Sequence, residues 1–513
     1  MGISRKQFVR AVTSGAVGSL VSSAAGAGGG VLRAGGRQTG ALPGKQERAA
    51  IKGATGAVAK FIAKADLGDM PSEAIEQGVR CLTDGFGVIL AGSTVRGSAI
   101  VRDYVKAAAG KQEATVLGVA GLRVSAAHAA LANGASGHAM DFDDTQLSTT
   151  ADRTFGLLTH PTVPALASSL AVSERLGASG EAFLEAFLIG VEVECKIAEA
   201  IDPDHYRRGF HTSGTVGTFA AAAAAARLLK LDEAAIGHTL AIAASLASGI
   251  RVNFGSMTKP LHVARASEGG VFAAEIASKG FTGGADGLDG EWGFFQVLGG
   301  GADLERLIPV MGHPYAIVSP GVSVKPYPCG VLSHPSMDAM LGLVTEHDLQ
   351  PDQVRAVRLR AGSNILEPLR YKVAKTELEA KFCLPFLLAS ILLRRRAGVR
   401  EFTDEFVSSD PVQRTMPRVT TVFDRDIEAQ GFDKIRSVVE IDLVDGRTLM
   451  RRSDDRYRGG PDRPFTRQEL HAKFTDCAQL TLSAGGIQRA LQAIESVRAL
   501  KHVRELVQAV SPS

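Results

Sequence analysis

Phe219 is followed by seven consecutive alanines, Ala220–Ala226, and no other stretch of the chain restricts its fold so strongly. Alanine has the highest intrinsic helix preference and almost no side chain, so a helix built from it lets a neighbour approach from any side. The stretch Val216–Leu231 is therefore predicted to lie inside a bundle of closely packed helices. Small residues dominate elsewhere too. The chain has 57 glycines, and aromatics are only 6% of its 513 residues. Small residues must therefore make many of the packing contacts, and closely packed helices are expected.

Helical punctuation runs from about residue 48 to 312. The apolar stretch Val163–Leu176 ends at Gly177, Ser179 is placed to cap the next helix, and Glu181–Ile201 stops before Pro203. Past His313 the texture changes. Val354–Arg360 alternates as a strand does, and Val439, Ile441 and Leu443 alternate up to an Asp445-Gly446 turn from which Thr448–Met450 returns. Helical periodicity resumes after Thr466. The expected fold is mainly α: a helical domain over 48–312, a smaller α+β lid domain inserted at 313–463, and C-terminal helices over 464–513 that return to the first domain.

The first 47 residues read as a signal and linker. Arg5, Lys6 and Arg10 precede an uncharged run, Ala11–Leu32, that contains the small-residue site Ala25-Gly26-Ala27. Eleven of those 22 residues are Gly, Ser or Thr, too polar for a membrane-spanning helix. Ser4–Arg10 is similar to a twin-arginine signal with lysine in the second basic place. Periplasmic export is the expectation, with a cytoplasmic protein carrying a disordered tail as the alternative. No membrane span is predicted.

Fifty-seven basic against 54 acidic residues give a net charge of +3, too balanced for a nucleic-acid-binding surface. The five cysteines are scattered, without CxxC spacing, which argues against zinc fingers and disulfide scaffolds. Glycine-rich phosphate loops, dinucleotide fingerprints, HExxH and calcium loops do not occur. No cofactor is expected.

Four polar motifs remain. The first is His138-Ala139-Met140-Asp141-Phe142-Asp143-Asp144-Thr145, followed by Thr159-His160-Pro161. Three aspartates so close together must accept hydrogen bonds, orient a basic group or bind a cation. Magnesium or manganese on these carboxylates with His138 or His160 is a possible arrangement, although a metal-free site is the preferred reading. The second motif, Arg207-Arg208-Gly209-Phe210-His211-Thr212-Ser213, runs into the alanine-rich helix. Thr212 or Ser213 is expected to cap that helix and to direct its positive end toward an anion beside His211. The third and fourth bring lysines: Thr258-Lys259-Pro260-Leu261-His262, and Val324-Lys325-Pro326-Tyr327-Pro328-Cys329-Gly330 with His334 close behind. Proline after each lysine predicts an extended backbone there.

These motifs, in this order and joined by the Glu291–Gly300 segment EWGFFQVLGG, resemble the MmgE/PrpD family from residue 48 to about 500. Family members include 2-methylcitrate dehydratase and cis-aconitate decarboxylase. The resemblance implies a helical domain with a smaller α+β lid, usually a homodimer, and an active cleft with Asp141, Thr145, His160, His211, Lys259 and Lys325. The expected catalytic set is Asp141, His160, His211, Lys259 and Lys325, with Thr145, Thr212, Ser213 and His334 binding substrate. Asp141 is expected to orient His160, and His211 to carry the proton on the substrate side. Phe386 stands where relatives often have tyrosine, so a hydroxyl is expected to be missing from the cleft. The implied activity is that of a cofactor-independent lyase on a small di- or tricarboxylate, first of all a 2-methylcitrate dehydratase-like dehydration. Decarboxylation of the cis-aconitate type and epimerisation are alternatives within that chemistry. A non-catalytic exported carboxylate-binding protein is the alternative outside it.

Overall fold

In the computed structural model, residues 53–108, 110–147, 159–431 and 434–512 are described. The predicted signal and linker lie outside them, as does most of the segment between Gln146 and Thr159. The described residues belong to one compact unit, mainly α-helical, and no described helix is long and apolar enough to cross a membrane.

The larger part is a stack of helices: α1 (Ser72–Gly92), α2 (Ala126–His138), α3 (Thr162–Leu176), α4 (Gly180–Ile201), α5 (Gly217–Leu228) and α6 (Thr258–Ala277). Predicted boundaries recur at α3 and α4. Gly177 ends α3 at φ 66°, and Ser179 Oγ accepts from the Ala182 N–H at 3.1 Å. The alanine-rich α5 is buried along nearly its whole length and packs against α4 and α6. Contact with α6 is so tight that a Cβ on Gly270 would fall 2.4 Å from the Ala221 methyl and from the Ala222 nitrogen. Only small residues on both helices permit that approach.

A second hydrophobic core forms in the α+β region. Its sheet runs β2 (Val419–Phe423), β1 (Val354–Ala361), β3 (Ser437–Leu443), β4 (Thr448–Arg452) across, with β1–β2 parallel and the other two pairs antiparallel. Val357 faces Val419 on one side and Ile441 on the other, and Ile441 pairs with Leu449. The β3–β4 hairpin turns at Gly446, whose φ is 91°. Helices α7 (His334–Glu346) and α8 (Leu384–Arg394) pack in this core. From the C-terminal helices α9 (Arg467–Ala478), α10 (Ala484–Glu495) and α11 (Val503–Ala509), Phe474, Ile487, Ile494 and Leu506 are buried in the core of the helical stack instead. All five cysteines are buried free thiols.

Candidate active site

The site grows from the C-terminal end of α2. His138 is the last residue of that helix, and three residues later Asp141 adopts φ 51°, a left-handed conformation that aspartate tolerates better than most residues. This turn points the Asp141 carboxylate at two lysines. Lys259 Nζ donates to Asp141 Oδ1 at 2.9 Å, and Lys325 Nζ donates to the same oxygen at 3.0 Å and to the Asp141 carbonyl at 2.9 Å. All three side chains are buried. The turn itself is held from the C-terminal region: Lys473 on α9 donates to the Phe142 carbonyl at 2.9 Å and pairs with Asp84 of α1 at 2.6 Å.

The two Lys-Pro steps differ from one another. Lys325 lies in an irregular segment, whereas Lys259, against the extended expectation, is helical, in the first turn of α6. A proline at the third helical position lacks only an N–H that would have had no partner within the helix, so it is tolerated there.

The histidines are held by their inner nitrogens. His160 Nδ1 lies 2.7 Å from the Asp144 carbonyl. A carbonyl only accepts, so Nδ1 carries the hydrogen and Nε2 of the neutral ring keeps a lone pair. His160 N–H donates to Ser213 Oγ at 2.9 Å. His211 Nδ1 lies 3.1 Å from His262 Nδ1, and its Nε2 is buried without a hydrogen-bond partner among the described residues. His138 Nδ1 lies 2.8 and 3.0 Å from the two Asp143 oxygens, and its Nε2 lies 2.7 Å from Lys259 Nζ.

Burial and charge set the protonation pattern. Burial opposes charge on Asp141, but Lys259 and Lys325 outweigh it and hold the carboxyl well below its ordinary range. Burial is also countered at Asp143, by His138 and His160, which leaves that carboxyl lowered. Burial and then the nearby Lys325 push His160 well down, and burial and then Lys259 do the same to His211. Burial lowers Lys259 as well, against the pull of Asp141. Asp144 behaves differently: burial and the neighbouring Asp84 raise it to about 7, despite hydrogen bonds from the Thr162 hydroxyl and N–H.

A cavity of about 560 Å³, partly open to solvent, brings these groups together. Asp141, Thr145, His160, His211, Thr212, Ser213, Lys259 and Lys325 line it, along with Tyr206, Thr159 and Phe254 from the helical half and Leu369 and Phe382 from the α+β half. Eight of the nine predicted site residues are thus in one place. The ninth, His334, is fully buried behind Lys325, with Nε2 3.3 Å from the Cys329 carbonyl and its ring edge-on to Tyr327. It does not line the cavity.

Three further expectations are corrected. Asp141 is engaged by the lysines, and it is the Asp144 carbonyl that orients His160. Thr212 and Ser213 do not cap the alanine-rich helix: they lie in a separate short turn, Thr212–Thr215, and α5 starts only at Gly217. Phe386 leaves no gap in the cleft, because it is buried in the second core against Phe402 and Phe406. Sequence reasoning weighed His138 only as a metal ligand and Asp143 only as one of three clustered carboxylates, without pairing the two, and gave His262, Phe254 and Phe382 no role. The five-residue spacing of His138 and Asp143 across the end of α2 was the available signal.

Two overlapping groups, His138/His160/His211 and His138/Asp141/Asp143/His160, bring their donor atoms within 4.8 Å of one another. Lysine ammonium already occupies part of that space. A divalent cation there would face Lys259 and Lys325 and would displace the Lys259–His138 contact, so the donor set as arranged suits an organic anion better than a metal ion.

Comparison with known proteins gives matches along most of the chain. Residues 56–307 match the MmgE/PrpD N-terminal domain and residues 327–499 the MmgE/PrpD C-terminal domain. The chain is 27% identical to human cis-aconitate decarboxylase over 458 residues, which are 88% of this chain and 93% of the relative. The mouse cis-aconitate decarboxylase is also 27% identical, over 88% of this chain and 92% of its own. A cis-aconitate decarboxylase-like protein of Aspergillus oryzae is 24% identical over 89% of this chain and 97% of its own.

Proposed function

The chain belongs to the MmgE/PrpD family, and from that premise we propose that it is a cofactor-independent lyase that decarboxylates a small unsaturated tricarboxylate of the cis-aconitate type. The observation that carries this reading is the convergence of Lys259 and Lys325 on one carboxylate oxygen at the cavity wall, beside the free Nε2 of His160.

The chemistry follows from charge. In such a decarboxylation the bond between a methylene carbon and its carboxylate breaks, CO₂ leaves, and the electron pair forms a new double bond. The old double bond then shifts its electrons to its far carbon, next to a second carboxylate. That carboxylate passes through a dianionic, enolate-like state until the carbon takes up one proton. Two preorganised ammonium groups stabilise such charge, at roughly 3–4 kcal/mol for a well-placed donor. The proton falls to a cavity histidine. Burial and the neighbouring lysines hold His160 and His211 neutral, and the negative charge of a bound tricarboxylate raises their proton affinity, which loads one for delivery.

Dehydration of a 2-hydroxy tricarboxylate such as 2-methylcitrate is the second reading, supported by the bare His160 Nε2, which suits abstraction of a proton beside a carboxylate. Decarboxylation is placed first because the matched relatives carry that name. Purified protein incubated with cis-aconitate, citrate, 2-methylcitrate and tricarballylate is expected to consume cis-aconitate with one CO₂ released per product. Consumption of 2-methylcitrate alone would favour the second reading, and binding without consumption of any acid would reject both. Export through the Arg5-Lys6 signal and assembly as a homodimer belong to the same proposal. N-terminal sequencing of natively purified protein and sedimentation velocity test them: an intact Met1 in cytoplasmic protein or a monomer would exclude the respective point.

A further inference from the structure

We infer that His138, fixed by Asp143, is a positioning residue that locks the Lys259 ammonium in one orientation toward the cavity, an inference that rests on the reading that Lys259 meets the substrate. His138 does not line the cavity and is fully buried. A carboxylate only accepts hydrogen bonds, so the contacts of 2.8 and 3.0 Å to Asp143 place the ring hydrogen on Nδ1 and leave Nε2 bare. An ammonium only donates, so the 2.7 Å contact from Lys259 Nζ fills that lone pair. The bond to Asp141 Oδ1 uses a second hydrogen of Nζ. One hydrogen is left for the cavity that Lys259 lines.

The ring has little room to swing. His160 sits edge-on to it at 4.8 Å between centroids, and His211 stacks at 5.4 Å with 28° between planes. Lys325 is held in a comparable way by different atoms, since both of its bonds go to Asp141, one to the side chain and one to the carbonyl. A lysine stem is long and carries much rotamer entropy. Anchoring two of three hydrogens fixes the third before substrate arrives, and electrostatic stabilisation of a transition state requires such fixed donors.

The test separates the acceptor from the shape of the ring. His138→Gln can place an amide oxygen where Nε2 stands, His138→Phe keeps a ring without an acceptor, and His138→Asn is too short to reach Lys259. Two measurements are made on each: kcat and KM on the acid that wild type consumes, and the Kd for tricarballylate, a tricarboxylate that cannot undergo the reaction. His138→Phe and His138→Asn are expected to lose at least about thirtyfold in kcat and about tenfold in tricarballylate affinity. His138→Gln should stay within about fivefold of wild type on both, with a melting temperature close to that of His138→Asn. If His138→Phe fails to fold, the Gln/Asn pair alone decides. Equal losses in Gln and Asn, or near-normal values in Asn, would overturn the inference. Should wild type bind tricarballylate yet consume no acid, the lyase reading falls, while the difference in Kd between Gln and Asn still decides the role of His138.

Discussion

The helical half and the α+β half of the molecule meet at the same cavity but bring different things to it. His138, Asp141, His160, His211 and Lys259 all stand on or beside the helical stack, while the α+β half contributes apolar walls at Leu369 and Phe382. Lys325 comes from the irregular segment that joins them. Buried ionisable groups need a backbone that does not relax, or they draw in water and lose their mutual orientation. Helices packed through alanine and glycine supply that rigidity. Under the proposed function, the chemistry falls to the helical half and the fit around the substrate to the other.

The largest effect should come from the helical half. Lys259→Ala is expected to lower kcat/KM at least a hundredfold, about 3 kcal/mol of transition-state stabilisation, with little change in melting temperature. Steady-state kinetics near wild type would remove Lys259 from the site. Gly270→Ala, which drives a methyl into Ala221 and Ala222, should cost about 2–3 kcal/mol in a urea titration and test whether close helix approach underlies the scaffold. An unchanged midpoint would show that the helices part easily.

Asp144→Asn probes the same half through pH. Because burial and Asp84 raise Asp144 to about 7, the folded protein keeps that proton between about pH 4 and 7 while the unfolded chain releases it. The unfolded state then binds fewer protons, so this group makes stability fall as pH rises through that window. The asparagine variant should show a shallower fall, and an identical slope would contradict the assignment. In the α+β half, Phe386→Tyr should cost about 1–2 kcal/mol by burying a hydroxyl against Phe402 and Phe406 and leave kcat unchanged. A gain in activity would place position 386 in the cleft after all. The smallest effect is expected from exhaustive chelation, which should leave turnover as it was. Loss of activity with rescue by magnesium or manganese would turn the aspartates into ligands.

Much of the fold was legible because its signals are local. Gly177 ends a helix, Ser179 caps the next, and Asp445-Gly446 turns a hairpin, each through the conformation or hydrogen bonding of one or two residues. That the motifs would gather at one place was legible from their order, and eight of the nine predicted site residues line one cavity. The pairings within the site were not legible, because they depend on distant segments and on one unusual dihedral. The positive φ of Asp141 directs its carboxylate to lysines more than a hundred residues away. His138 and Asp143 look like a helix end in sequence, and only the arrival of α6 turns them into a partner for Lys259. His334 and Phe386 closely follow the cavity-lining Leu332 and Phe382 in the chain, yet His334 packs against Tyr327 and Phe386 is buried in the second core.

A crystal structure with tricarballylate tests the central claim most directly. The account predicts the ligand in the cavity between the two halves, one carboxylate within about 3 Å of the Nζ atoms of Lys259 and Lys325 and another within reach of His160 or His211. A ligand bound elsewhere, or one whose carboxylates avoid both lysines, would contradict it.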